Sequence, residues 1–173
     1  MPGTITEFMR EDHARLDRLL DRAVADPHAF DHAAFETFRG GILRHIGMEE
    51  KILVPELRCR LRGEVVPHAR RLRVEHAAIS SLLVPTPSSD IVREVRVILA
   101  EHNALEEGPG GLYELCEKLL GDEAPGVVEK LAAARPVPLA PHHDGPTVKR
   151  TAEEALASAE RIQAYRDRAH PAA

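Results

Sequence analysis

Apolar side chains along this chain recur every three or four residues, the spacing that gathers them on one face of a helix, and no run alternates with the period of two expected of a strand. The first such stretch opens with Thr4-x-x-Glu7, a capping-box pattern, and carries Phe8, Leu16, Leu19, Leu20 and Val24 before Asp26-Pro27 ends it near Ala25. The second starts near Asp31 and carries Phe35, Phe38, Ile42, Ile46 and Leu53, with Gly40-Gly41 and Pro55 as weak points in a long helix. Gly63 breaks the chain, and Pro67 suits the first turn of a third helix that carries Leu72, Ile79, Leu82 and Leu83. The loop from Pro85 to Asp90 ends in capping residues, and a fourth helix follows with Ile91, Val95, Ile98, Leu99 and Leu105. Gly108-Pro109-Gly110-Gly111 interrupts it, and a further helical piece runs to about Leu120.

Four amphipathic helices with short connections predict an all-α fold, an antiparallel up-down-up-down four-helix bundle over residues 1–121. Residues 122–173 read as a C-terminal helical extension: a short helix from about Pro125 to Ala134, an extended proline strap from Pro136 to Pro141, and a final helix from roughly Val148 to Ala169. In that last helix Val148, Ala152, Ala155, Ala159 and Ile162 form a narrow seam of mostly small residues. The seam suits close packing on the bundle or on a second copy, so a monomer or a homodimer through this helix is expected.

Composition sets limits on this picture. A hydrophobic content of 43% in 173 residues supplies the core of one domain. The net charge of -5, from 23 Lys and Arg against 28 Asp and Glu, leaves no electrostatic footprint for nucleic acid or an anionic membrane. Met1-Pro2-Gly3-Thr4 begins no basic and apolar leader, and no window approaches the roughly 20 apolar residues that span a bilayer, so a cytoplasmic protein is expected. Cys59 and Cys116 stand apart and read as buried small hydrophobes or inert surface thiols. The unusual feature is ten histidines against 3% aromatics and no Trp.

The histidines fall into an internal repeat. Arg10-Glu11-Asp12-His13-Ala14 through Leu19-Leu20 aligns without a gap on Arg73-Val74-Glu75-His76-Ala77 through Leu82-Leu83. His45-Ile46-Gly47-Met48-Glu49-Glu50 aligns on His102-Asn103-Ala104-Leu105-Glu106-Glu107, and one inserted residue later Glu56-Leu57 matches Glu114-Leu115. The chain thus reads as two helix hairpins of one design, each with a lone His on its first helix and His-x-x-x-Glu on its second. In a helix, residues i and i+4 differ by about 40° and about 6 Å along the axis, so His45 with Glu49, and His102 with Glu106, present imidazole and carboxylate side by side. Glu50 and Glu107 are turned a further ~100°, toward solvent or a supporting hydrogen bond.

Four imidazoles and two carboxylates facing one another inside a bundle suit two first-row metal ions of the iron, manganese or zinc group. Two divalent ions bring four positive charges against two from the glutamates, which leaves room for a bridging hydroxide or oxide. Six side chains do not saturate two six-coordinate ions, so positions remain for a small ligand. At Asp12-His13, His45 through Glu50, Glu75-His76 and His102 through Glu107, in this order, the chain resembles the hemerythrin-like, HHE cation-binding family over about residues 4 to 120. The resemblance implies metal ligands at His13, His45, Glu49, His76, His102 and Glu106, and two oxo- or hydroxo-bridged iron ions ahead of manganese or zinc. It also implies a non-haem di-iron protein that binds O2, NO or peroxide for storage, sensing or detoxification. A di-iron enzyme that consumes peroxide or acts as an oxidase, or a metal store, is the alternative.

Two departures bear on that function. Oxygen-carrying hemerythrins have two histidines one turn apart on the third helix, whereas the residue four before His76 is Leu72. They also use a longer His-to-Asp spacing on the fourth helix than His102-x-x-x-Glu106. With one imidazole fewer, peroxide or redox turnover is favoured over reversible O2 carriage. The inserted Gly108 to Gly111 loop before Leu112-Tyr113 offers Tyr113 as an extra ligand or hydrogen-bond donor. His28, His32, His142, His143 and His170 beside loops or the terminus read as ordinary surface residues, and His68 sits two turns before His76 and about 80° round the helix. Arg15, Arg18 and Arg22 read as a solvated basic face, and Tyr165 as packing.

Overall fold

In the computed structural model, which describes residues 3–62 and 64–169, the caps form where the sequence places them. Gly63, expected as a chain break, and His170 lie outside the described residues, as do Met1 and Pro2. Thr4 Oγ1 accepts from the Glu7 amide at 3.1 Å while Glu7 Oε2 accepts from the Thr4 amide at 2.9 Å. This reciprocal cap starts α1 (Ile5–Ala23) and contributes on the order of 1 kcal/mol. Asp31 caps α2 (His32–Met48), and Ser88 caps α5 (Ser89–Glu107). Between them lie α3 (Val54–Arg60) and α4 (Ala69–Leu82); α4 begins two residues after Pro67, behind His68 in a left-handed conformation with φ 60.

The second long helix runs through Gly40-Gly41 unbroken and is modified further on. Residues Glu49–Leu53 form a π-helical segment, and the Val54 amide reaches back five residues to the Glu49 carbonyl. Pro55 lies just beyond, where its ring and missing N–H disfavour an ordinary α-turn, and a widened turn is a common response at functional positions. The weak point is therefore a π segment inside a continuous run from residue 32 to 60.

After α5 come α6 (Leu112–Leu120), a short 3-10 turn, α7 (Ala124–Ala132) and α8 (Ala152–Ala169). The chain is all-helical, with no strand among the described residues, and none of the described helices is long and apolar enough to cross a membrane. Helix α1 packs beside α2 and α5, and α4 beside α5 and α8. The seam of α8 is buried at Ala152, Ala155 and Ala159, which lets it lie close on the core, while Arg70 of α4 pairs with Glu160 and Asp167 across that contact. Ile162 and Tyr165 are more than half exposed, so Tyr165 does not pack within the chain. Helix α8 starts at Ala152 rather than near Val148 because Thr151 caps it, its Oγ1 accepting from the Glu154 amide at 3.2 Å. Before it, Arg39 donates to the Ala140 carbonyl of the strap, and Arg44 donates to the carbonyls of Leu131, Ala132 and Ala134 at the end of α7, groups that need a partner outside the helix.

The core has two parts. One gathers Leu16, Leu20, Phe35, Phe38, Ile42, Ile79, Leu82, Val95 and Ile98 with the α8 alanines. The other gathers Ile5, Met9, Met48, Leu53, Leu57, Leu72 and residues of α6 and α7. Each of the four long helices contributes to both, and between the two contributions each carries a polar interruption at His13, at His45 and Glu49, at His76, or at His102 and Glu106. Cys116 is buried in the second cluster and Cys59 is exposed, both free.

The adjacent glycines of α2 test the packing. A Cβ at Gly41 would meet Leu16 Cδ2 at 2.6 Å, whereas one at Gly40 would meet only Leu139 at 3.7 Å. Gly40→Ala is expected to stabilise by about 0.5–1 kcal/mol through helix propensity, and Gly41→Ala to destabilise by about 1–3 kcal/mol through overpacking against α1. Urea unfolding of the two variants measures the opposite signs.

Candidate metal centre

The polar interruptions meet between the two halves of the core. His13 from α1, His45 from α2, Glu49 from the first residue of the π segment, His76 from α4, and His102 and Glu106 from α5 are each at most 6% exposed. Their inward atoms form two groups, one of His13, His45, Glu49 and Glu106, the other of Glu49, His76, His102 and Glu106, with atoms within 4.8 Å of one another in each. Both glutamates belong to both groups. Glu49 Oε1 lies 3.3 Å from His45 Nε2 and Glu49 Oε2 lies 3.1 Å from His76 Nε2. Glu106 Oε1 lies 3.1 Å from His102 Nε2, and its Oε2 lies 3.5 Å from His13 Nε2.

Every imidazole is oriented from behind by a carboxylate on another helix. His13 Nδ1 bonds Glu107 at 2.6 Å, His45 Nδ1 bonds Asp12 at 2.9 Å, His76 Nδ1 bonds Glu50 at 3.0 Å and His102 Nδ1 bonds Glu75 at 3.0 Å. With Nδ1–H donated outward, each ring turns its Nε2 lone pair to the centre. The two-fold repeat is visible here: the acidic residue before each lone His holds the His of the following helix, and the second Glu of each pair holds a lone His. Helical spacing predicts the supporting part of Glu50 and Glu107 but not that of Asp12 and Glu75; the signal for these two is their shared place before His13 and His76. Arg15 ion-pairs with Asp12 at 2.7 Å, so it is not merely solvated, and Arg71 does the same for Glu75 at 2.7 Å.

Tyr113 breaks the symmetry. Gly110 takes φ 72, and a Cβ at Gly111 would meet the Glu106 carbonyl oxygen at 2.5 Å, so the loop closes tightly enough to return α6 toward the site. The buried Tyr113 hydroxyl reaches Glu49 Oε1 at 2.6 Å, Glu106 Oε2 at 3.0 Å, and His13 and His45 Nε2 at 3.3 Å each. By the repeat, Tyr113 corresponds to Pro55, which faces no such group. On the other side, Glu49 Oε2, Glu106 Oε1, His76 Nε2 and His102 Nε2 are buried without a hydrogen-bond partner. The close His–Glu approaches there lie in a geometry that makes no hydrogen bond. Buried charges without partners cost several kcal/mol, and a cation between these atoms removes that cost. The nitrogen and oxygen donor set fits a divalent first-row metal, and no thiolate takes part.

The electrostatics follow from burial. Burial pulls His45 down, but the charge of Glu49, 3.3 Å away, and the bond to Asp12 outweigh it and push His45 up to about 9. Burial opposes ionisation of His76 too, yet the nearby carboxylates of Glu106 and Glu49 and the bond to Glu50 raise it well above the usual range. Burial and the neighbouring His45 drive His13 down to about 4, while burial and the charge of Glu49 raise Glu106 to about 6. Burial, with the two carboxylates beside it, keeps the Tyr113 phenol protonated far above neutrality.

The profile of the hemerythrin HHE cation-binding domain matches residues 4–108. No curated protein and no solved structure matched the chain.

This geometry predicts two outcomes. Since His45 and His76 hold protons at neutral pH in the metal-free protein and must lose them to bind a metal, loading releases protons and its apparent affinity climbs as pH rises toward about 9. Metal titrations in buffers of different ionisation enthalpy count those protons. Asp12→Asn and Glu75→Gln are each expected to weaken metal binding by about 10–100-fold with the fold retained, as read by competition with a chromophoric chelator.

Proposed function

We propose, from the premise that the chain belongs to the hemerythrin HHE cation-binding domain family, that it is a non-haem di-iron protein that takes up a small oxidant such as O2, NO or peroxide. The observation that carries this reading is the sharing of Glu49 and Glu106 between both groups of inward atoms, which suits a pair of ions held side by side rather than two separate sites. In this reading His13 and His45 hold one ion, His76 and His102 the other, and the two glutamates serve both. Iron would supply electrons to, or take them from, an oxygen-derived ligand. The chain's own residues do the rest. Asp12, Glu50, Glu75 and Glu107 fix the imidazoles.

The four ligand-bearing helices are read as an antiparallel up-down-up-down bundle. In support, successive helices run alternately between the two core clusters, from Met9 to Leu16, from Ile42 to Leu53, from Leu72 to Ile79 and from Ile98 toward Leu112. The six-residue link from Leu83 to Ser88 is of the length that joins antiparallel neighbours.

A second reading, consumption of peroxide, is favoured by Leu72. Its apolar side chain stands one turn before His76, where a further imidazole would saturate that ion and support reversible carriage. Loss of a ligand leaves a position for turnover.

Purified protein is expected to hold about two irons per chain and to show oxo-bridged ferric absorption. The Glu49→Ala, Glu106→Ala double variant should lose both. Absence of iron from the natural chain removes the proposal. Anaerobic reduction followed by air separates the readings: a colour that returns and can be removed again marks binding, and one-way oxidation with faster loss of peroxide than in the double variant marks turnover.

A further inference from the structure

The two halves of the centre differ in what reaches them. Around His13 and His45, the Tyr113 hydroxyl already lies against both glutamates and both imidazoles. Around His76 and His102, four buried inward atoms have no hydrogen-bond partner. Two clefts that reach site residues lie on this second side. A small one of about 80 Å³ between the π segment and α4 is lined by Glu49 itself, Glu50, Leu72, Arg73 and His76. A larger one of about 380 Å³ continues outward over Glu50, Arg73, His76 and Ala77 to Gln163 and Arg166 of α8. The cleft beside the other half, over Asp12, Ala14 and Arg15, touches none of the six inward residues.

We infer that the exogenous ligand is taken by the ion at His76 and His102, entering between α2 and α4 past Arg73, and that Tyr113 closes the ion at His13 and His45 to it. This rests on the di-iron reading and assigns the side of the pair at which that reading acts. Arg73 lines both clefts, as does Glu50, and is joined by Arg58 in the inner cleft and Arg166 in the outer one. The outer cleft, with the guanidiniums of Arg73 and Arg166 against the single carboxylate of Glu50, therefore favours small anions such as azide or nitrite over cations. Helix α8 forms the outer wall, which gives the C-terminal helix a part in access as well as in packing.

Azide, a small anion that colours ferric iron on binding, tests the assignment by stopped-flow absorption on the iron-loaded full chain. One azide per metal pair is expected. Arg73→Glu should slow association by about tenfold or more and abolish its dependence on ionic strength. Ala77→Trp, which adds bulk at an exposed position of the outer cleft, should also slow association, whereas Ala14→Trp on the opposite face should not. Iron content measured on each variant must remain at the natural value. Two azides per pair, slowing by Ala14→Trp alone, or equal rates in all variants would overturn the assignment while leaving the di-iron reading intact. A natural chain without iron would instead sink the reading beneath it.

Discussion

Taking the carboxylates of Glu49 and Glu106 out of water costs several kcal/mol for each charge, and both lie at 0% exposure between two apolar clusters. Nothing apolar could offset that cost locally. The surrounding groups answer it in layers: four imidazoles within reach of the carboxylates, four further carboxylates behind the imidazoles, and arginines behind three of those, Arg15 at Asp12, Arg71 at Glu75 and Arg10 at Glu107. Each layer has the opposite electrostatic character to the one inside it. The lowered pKa of Glu49 and the raised one of His45 are two faces of this arrangement. Positive charge at the centre would complete it.

The same carboxylates tie the helices together. Asp12 joins α1 to α2, Glu50 joins the π segment to α4, Glu75 joins α4 to α5, and Glu107 joins α5 back to α1. The circuit is closed and each link runs between different elements, so the position of every imidazole depends on its neighbours' backbones. A site fixed this way resists the loosening expected if each ligand were held only by its own helix. The widened turn of the π segment begins with Glu49, which faces the centre, and Glu50, which reaches His76; Glu106 and Glu107 meet the same two demands at the end of an ordinary α-helix, so the widening answers Pro55 rather than the site.

Much of this was legible in the sequence, for identifiable reasons. Helix starts could be read at Thr4, Asp31 and Ser88 because capping is local chemistry. The six inward residues could be read because two copies of one spacing are hard to produce by chance on helix surfaces. The roles of Asp12 and Glu75 were not legible, since a bond from one helix to the next depends on how the helices are rotated against each other. The same holds for Arg15, which sits on an apparently solvated face and yet reaches Asp12. Pro55 announced a disturbance but not its kind, because a kink, a break and a π turn all satisfy a proline. Tyr113 could be suspected from the inserted glycines, yet its reach to four inward atoms depends on the angle at which α6 returns. Tyr165, read as packing, proved exposed because the contact of α8 is made by its alanines.

The loop from Gly108 to Gly111 has a consequence for how modules of this kind are delimited. Family membership is defined here by residues 4–108, and that boundary falls at the loop's first glycine. The segment beyond it is not an appendage: Leu112, Tyr113, Cys116 and Leu120 are buried against Ile5 and Met9 of the opening helix. The inherited motif and the cooperative unit are therefore different objects. Ancestry can be traced through the shorter one, whereas the Tyr113 hydroxyl at the centre comes from the segment that a motif-based boundary leaves out.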